Sequence, residues 1–237
     1  MRLHRFYLEQ SIEEKTIKVE SAELIHQWKN VFRYQVGTQV IVFCGDGYDY
    51  LCMLTEIRNH SATLEILSKK KSILVDKDIA LAVSLIKKDN MELIVQKVTE
   101  LGVSKIFPVI SERSEKKSLN LSRARKIAIE AAEQSGRGDV PEIFEPMEIQ
   151  EFFDHSKLQE YAKKIVFTPK EEKLNMAVIE NEPADTSFLL AIGPEGGFSE
   201  TEIALFSQND FKRYSLGNLI LRAETAAIAA LSLLLLS

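Results

Sequence analysis

Two glycine-bearing loops hold the residues of this sequence best suited to chemistry. The first, GPEGGFSETEIALF over Gly193–Phe206, follows the apolar run Ser187–Ile192 and leads into a helix-period segment. Ser199 and Glu202 have the S-x-x-E spacing of a capping box, which fixes where that helix starts and makes the residues before it a strand-to-helix turn. Gly193, Gly196 and Gly197 carry no side chain and tolerate positive φ, so main chain there can approach a ligand closely. A glycine-rich turn at a strand's carboxyl end ordinarily suits phosphate, because free N–H groups and the helix N-terminus favour an anion. This turn contains Glu195 and no lysine, and neither GxxxxGK[ST] nor GxGxxG occurs. A carboxylate beside a main-chain cradle suits an uncharged or cationic ligand, such as a sulfonium. An ordinary tight turn with an exposed Glu fits the same residues.

The second loop, SLGNLILRAETAAIAAL over Ser215–Leu231, also runs from a strand through Gly217 into a helix. It sets Arg222, Glu224 and Thr225 at a helix start, where free N–H groups and polar side chains converge. Two such loops side by side would clamp a bent nucleoside between main-chain groups. A third element is the helical segment IEAAEQSGR. Glu130, Glu133 and Arg137 share one face there, opposite a stripe of Ala124, Ala128 and Ala131. That face is either solvated or, through the cationic fork of Arg137, a holder for phosphate or a carbonyl.

The elements that must position these loops follow two periodicities. Up to about residue 70, short runs alternate apolar and polar positions: Thr38–Phe43, Tyr50–Ile57 and Ala62–Leu67, separated by Gly37, Gly45-Asp46-Gly47 and Asn59-His60. This pattern predicts antiparallel strands in a small barrel, with one helix over Ser21–Phe32. The charged segment Lys69–Lys77 marks the boundary, giving domains over 1–72 and 73–237. From Ile79 onward, apolar strands (IALAVSLI, KIFPVI, KIVFTP, FLLAIG) alternate with longer helical segments, which predicts an α/β fold with a parallel sheet between helices. In the helix after Asp89, residues Met91, Ile94, Val95, Val98 and Leu101 form the buried stripe, and Asp89 with Glu92 has capping-box spacing.

Composition sets the outer bounds. A chain of 237 residues that is 45% hydrophobic can fill a core, which excludes disorder. Cys44 and Cys52 lack metal or disulfide-framework spacing and read as core thiols of a reducing compartment. No metal site is expected. The N-terminus has no signal-peptide pattern, and the apolar run Ala226–Leu236 is shorter than the roughly 20 residues of a membrane span, so a cytoplasmic protein is expected. The net charge of −5 argues against indiscriminate nucleic-acid coating but permits a local basic surface. Basic clusters occur at His4-Arg5, at Lys29 with Arg33, at Lys69–Lys71, and over Arg113, Lys116, Lys117, Arg123, Arg125 and Lys126; each is also compatible with a plain solvated face.

These stretches resemble the small-subunit (16S) ribosomal RNA uridine-N3 methyltransferase family of the SPOUT superfamily. GPEGG, the LG…ILRAETA string, EAAEQSGR and QKVTELGVSKIFPVISERS match that family in order, and the likeness reaches RFYL at Arg5–Leu8 and HQWKNVFRYQVG at His26–Gly37. The resemblance implies an N-terminal PUA-like β-barrel that binds RNA and a C-terminal SPOUT α/β domain threaded as a trefoil knot, a topology that connection rules alone would not suggest. It further implies a homodimer, S-adenosylmethionine as cofactor, and 16S rRNA in the small ribosomal subunit as substrate. By matching position, the cofactor site would comprise Thr168 and Pro169; Ile192, Gly193, Pro194, Glu195, Gly196 and Gly197; and Leu216, Gly217, Asn218, Leu219, Ile220, Leu221, Arg222, Glu224 and Thr225. His26 and Arg33 would face RNA, and Arg5 and Lys29 are read as further phosphate contacts. The chain departs from the family at Asn218-Leu219, where Pro-Arg is usual, and at Trp28 and Phe32, where Leu is commoner.

Methylating uridine N3 requires loss of an imide proton and in-line approach to the methyl donor. Arg137 or Arg222 is the expected stabiliser of the anionic base, and Glu133 a candidate proton acceptor. Two alternatives stay open at this point. One is a related SPOUT enzyme acting on tRNA or a ribose hydroxyl; the other is a non-catalytic RNA-binding assembly factor.

Overall fold

A computed structural model describes residues 3–75, 77–169, 171–174, 182–183 and 185–235. Asp76 in the expected boundary segment, Leu236 in the apolar C-terminal run, and the outer ends of the two expected domains at Met1 and Ser237 lie outside the described residues. The chain forms two compact units. One comprises the residues up to Leu74 together with Ala132–Asp139; the other comprises Val75–Ala131 and the chain from Val140 onward. That the segment around Gly136 belongs with the N-terminal residues was not expected from the sequence.

In the first unit, strands β1 (Arg5–Tyr7), β2 (Thr16–Val19), β3 (Gln39–Phe43), β4 (Tyr48–Ile57) and β5 (Ala62–Lys71) form a sheet in the order β1-β3-β4-β5-β2. The pairs among β2 to β5 are antiparallel, as the alternation predicts, but β1 runs parallel to β3. The inward positions Phe6, Ile17, Val40, Val42, Cys52, Leu54 and Leu64 close a core around Trp28, whose side chain is fully buried. The expected single helix is instead α1 (Ala22–His26), capped by the Ser21 hydroxyl, followed by a wider π-type turn over Gln27–Val31. The lysines read as linker extend β5. Strand β2 covers β5 only from Ala62 to Glu65, so Lys69–Lys71 lie beyond that pairing, where charge discourages edge-to-edge association.

Arg5, expected to contact phosphate, has its partners within this unit. Its guanidinium is 7% exposed, pairs with Asp49 at 2.7 Å, donates to the Arg137 carbonyl at 3.2 Å and lies 4.5 Å from the Phe43 ring centre. It holds the unit together and presents little to a phosphate. Asp49→Ala would strand a buried guanidinium; a cost of about 2–3 kcal/mol is expected, below the range for fully buried pairs because Asp49 is partly exposed. Urea melts of the intact chain would show it as a lower midpoint with an unchanged slope.

In the second unit, β6 (Ile79–Ser84), β7 (Lys105–Ile110), β8 (Glu142–Ile143), β9 (Met147–Glu148), β10 (Lys163–Phe167), β11 (Phe188–Ile192) and β12 (Lys212–Tyr214) form a parallel sheet. The order is β12-β10-β11-β6-β7-β8, with β9 also pairing to β7. Both faces are buried, which is why these strands read as continuous apolar runs. Ile79, Leu81 and Val83 pack on one side with α2 (Lys88–Leu101), α3 (Leu121–Ser135) and α6 (Ala223–Leu235); Ala80 and Ala82 pack on the other with Phe152 and Phe153 of α4 (Ile149–Asp154) and Phe206 of α5 (Glu200–Gln208). The capping box expected at Asp89 and Glu92 is absent. Helix α2 begins at Lys88, Lys87 occupies the cap without a side-chain bond, and Glu92 pairs with Arg123 at 3.1 Å instead. Asp89 sits in the first turn, where its charge suits the helix dipole.

Candidate functional site

Strand order determines where a ligand can enter the second unit. From β10 the chain steps inward to β11 and then outward past β10 to β12; the three strands are parallel, so the loops that follow them gather at one end of the sheet. The carboxyl ends of the strands are where open parallel sheets bind ligands. A cavity of about 880 Å³ opens there, lined by Phe167 from β10, Ile192 from β11 and Ser215 just after β12. That volume lies in the range of small-molecule sites.

Three loops build its walls. In the first, Gly193 to Phe198, the Gly197 N–H donates to the Pro194 carbonyl at 2.8 Å and Gly197 takes φ +68°. The expected capping box follows: the Ser199 hydroxyl accepts from the Glu202 N–H, and a Glu202 carboxylate oxygen accepts from the Ser199 N–H at 2.8 Å. The other Glu202 oxygen accepts from the Glu112 N–H at 2.8 Å. One buried carboxylate thus ties the start of α5 to the turn after β7. A neighbour on that turn, Arg113, donates to the Gly196 carbonyl at 2.8 Å, and a Cβ on Gly196 would lie 3.3 Å from the Arg113 side chain. The glycine turn is therefore clamped from outside the cavity's own loop.

In the second loop, the Ser215 hydroxyl accepts from the Gly217 N–H at 3.0 Å and donates to the Gly217 carbonyl at 2.9 Å. Gly217 adopts φ +133°, a conformation closed to residues with side chains except under strain. Leu219 and Ile220 stand 79% and 85% exposed on the same loop. In the third, the Thr168 N–H donates to the Tyr214 carbonyl at 2.8 Å, while its hydroxyl oxygen is buried without a hydrogen-bond partner. Carboxylates and cations both reach the cavity: Glu195, Glu200, Arg113, and Glu171 paired with Arg213 at 3.3 Å.

Of the residues read as cofactor-binding, the cavity brings together Thr168, Pro169, Ile192, Gly193, Pro194, Glu195, Gly196, Gly197, Leu216, Gly217, Leu219, Ile220 and Leu221. Asn218, Arg222, Glu224 and Thr225 are not on its wall. Arg222 is exposed between Leu221 and Ala223, which both line the cavity. Glu224, in the first turn of α6, is buried with one carboxylate oxygen unpartnered. Arg137 and Glu133 belong to the first unit. Arg137 is 5% exposed and paired with Asp139 at 2.8 Å; Glu133 accepts from the Tyr7 N–H at 2.9 Å. His26 is exposed and bonded to Asn30, Lys29 donates to Asn59 at 2.8 Å, and Arg33 is exposed. Sequence reasoning missed Arg113, Glu171 and Arg213 as lining residues. Only the SERS stretch containing Arg113 carried a signal, and it gave no hint of contact with Gly196. Among the described residues there is no cluster of three or more metal-ligating side chains and no helix long and apolar enough to cross a membrane.

Comparison with known proteins bears on this geometry. Residues 74–235 match the RNA methyltransferase domain, and residues 29–67 match the RNA methyltransferase PUA domain. Ribosomal RNA small subunit methyltransferase E of Rickettsia conorii is 31% identical over 98% of this chain and 95% of its own length. The Bacillus subtilis protein of that name is 31% identical, covering 97% and 95%. Among solved structures, ribosomal RNA small subunit methyltransferase E from Neisseria gonorrhoeae bound to S-adenosyl methionine superposes with a TM-score of 0.84 at 31% identity, covering 98% of this chain and 96% of that one. A putative methyltransferase from Legionella pneumophila in complex with bound cofactor SAM gives 0.86 at 31% identity, covering 99% and 97%. With its parallel-sheet unit, its glycine-walled cavity and these full-length likenesses, the chain belongs to the RNA methyltransferase family that includes ribosomal RNA small subunit methyltransferase E.

Proposed function

We propose that the chain transfers a methyl group from S-adenosylmethionine to N3 of a uridine in 16S rRNA of the small ribosomal subunit, acting in the cytoplasm as a homodimer. The observation that carries this reading is the cavity walled by the main chain of two glycine turns in a chain of this family. The residues fit the donor. A Cβ on Gly197 or Gly217 would meet no atom within 4 Å, so open space lies beside both glycines. The unpartnered Thr168 hydroxyl is a polar group available to a ligand. Glu195 and Glu200 supply negative charge for a cation. Ile192 to Gly197, Leu216 to Leu221, and Thr168 with Pro169 would hold the donor, with Glu224 and Thr225 supporting from the start of α6. When bound, S-adenosylmethionine supplies a methyl group on a cationic sulfonium, which leaves as a neutral thioether.

The chain's own task is to orient the uracil and favour loss of its N3 proton. Arg222 is the leading candidate, because an exposed guanidinium at the cavity rim offers paired donors to the carbonyls that gain charge when N3 is deprotonated. Arg137 and Glu133 remain the other candidates, each already engaged by Asp139 or Tyr7. Residues 1–72 act in this proposal as the PUA-like RNA-binding domain and 73–237 as the methyltransferase domain, with the trefoil knot that the family resemblance implies. His26, Lys29 and Arg33 contact phosphate. Replacing Lys29 and Arg33 together with Ala is expected to flatten the slope of log affinity against log salt by about 1.4, at about 0.7 per phosphate on single-stranded RNA. Filter binding at several salt concentrations measures this, and an unaltered slope removes both residues from the contact set.

The function itself is tested by mass spectrometry of rRNA nucleosides from a strain deleted for the gene, with and without the gene restored. Loss and recovery of 3-methyluridine in 16S rRNA supports the reading. Loss of a methylated ribose or of a tRNA nucleoside instead would replace it.

A further inference from the structure

We propose that the rings of His4, Phe32 and Tyr34 form a stacking site for one unpaired RNA base, an inference that rests on the RNA substrate proposed above. All three lie in the first unit. Phe32 stacks on Tyr34 with centroids 5.2 Å apart and planes 14° apart, and meets His4 at 4.5 Å with the planes tilted by 30°. The His4 ring nitrogen Nδ1 and the Tyr34 hydroxyl are hydrogen-bonded, and their rings lie within 27° of parallel. The buried Phe6 meets all three edge-on, at 66°, 68° and 80°. Phe6 is thus the inner wall of a small aromatic platform. His4 is exposed, and Phe32 and Tyr34 are half-buried, so the platform reaches the surface.

Backbone conformation gives an independent reason. Arg33, between the two stacked rings, has φ +54°, a left-handed conformation that costs a residue with a side chain and that glycine takes freely. The turn it closes, with Phe32 N–H donating to the Gln27 carbonyl and Tyr34 N–H to the Trp28 carbonyl, is a helix-terminating turn of the kind that favours glycine. An exposed arginine is kept there at a conformational cost, between the two ring residues in the chain. With Lys29 four residues before Arg33, the stretch that carries the rings also carries two cations suited to the phosphates of a stacked nucleotide. Every nucleobase has a π face, so such a site takes an unpaired nucleotide without reading its identity.

The test uses the full chain and a short single-stranded oligoribonucleotide carrying 2-aminopurine at its centre, whose fluorescence is quenched on stacking. Expected is quenching with the wild-type chain. Phe32→Leu should bind about tenfold more weakly, within the range seen on removing one stacking ring, and quench little. Its melting temperature and calorimetric affinity for S-adenosylmethionine should stay at wild-type values. His4→Ala, at an exposed ring, serves as the second variant should Phe32→Leu lower the melting temperature. Arg33→Gly should weaken binding without lowering the melting temperature. Absence of quenching by the wild-type chain, or wild-type quenching by both Phe32→Leu and His4→Ala, overturns the proposal. So does a patch covered by a second copy of the chain, seen as dissociation of Phe32→Leu in ultracentrifugation with no quenching by the wild type. A chain that quenches but leaves 16S rRNA unmethylated refutes the enzymatic reading and leaves the stacking site standing.

Discussion

Arg222→Ala is expected to slow methyl transfer by about 100- to 1000-fold, the loss typical of removing one preorganised donor from a developing anion. Arg222 is exposed between the lining residues Leu221 and Ala223, while its carbonyl accepts the first bond of α6 from the Ala226 N–H at 2.8 Å. Truncation leaves that bond in place, so folding and donor binding should be unaffected. The effect therefore belongs in the single-turnover rate at saturating donor and not in the affinity for it. Arg222→Lys should recover only part of the rate, because an ammonium cannot present two parallel donors to a uracil edge. A wild-type rate in Arg222→Ala would move the role to Arg137, and Arg137→Lys and Glu133→Gln measured the same way would then decide between guanidinium and carboxylate.

Gly217→Val should abolish donor binding at accessible concentrations. Two effects combine. A β-branched residue at φ +133° carries strain on the order of 1–3 kcal/mol, and its side chain would enter the open space beside the loop. Strain alone would weaken binding only by destabilising the loop, whereas obstruction excludes the ligand outright. Gly37 separates the two effects. It has φ +93° and equally open surroundings but belongs to the first unit and does not line the cavity. Gly37→Val should lower the melting temperature and leave calorimetric affinity for S-adenosylmethionine intact; Gly217→Val should remove that affinity. Equal affinities for the two variants would mean that the Gly217 turn is not part of the donor site.

Much of the second unit was legible because its local signals are strong. The strands over Ile79–Ser84, Lys105–Ile110 and Phe188–Ile192 are apolar on both faces, and Ser199 with Glu202 caps α5 where their spacing requires. Asp89 and Glu92 show the same spacing without the same result, since α2 starts at Lys88 and so places Asp89 inside the first turn, with Glu92 paired to Arg123. Spacing specifies a possible bond, and tertiary context decides whether it forms. The partners of Arg5 are likewise set by tertiary context. A basic residue next to His4 looks like surface charge until Asp49, 44 residues away, is known to face it. The clamp of Arg113 on the Gly196 carbonyl spans 83 residues and leaves no local pattern at all. The sequence places Glu133 and Arg137 on one helical face, but α3 ends at Ser135 and Arg137 lies beyond it, bridged to Ile73, while Glu133 accepts from Tyr7; both partners come from the N-terminal residues, which no periodicity could supply.

The most direct test of the account is transfer by the purified chain. Labelled S-adenosylmethionine would be incubated with small ribosomal subunits lacking the modification and, in parallel, with tRNA, followed by nucleoside mass spectrometry. The account predicts label in 3-methyluridine from 16S rRNA and none in tRNA. Label in a 2′-O-methyl nucleoside, or no label in the rRNA despite a folded chain that binds the donor, would contradict it.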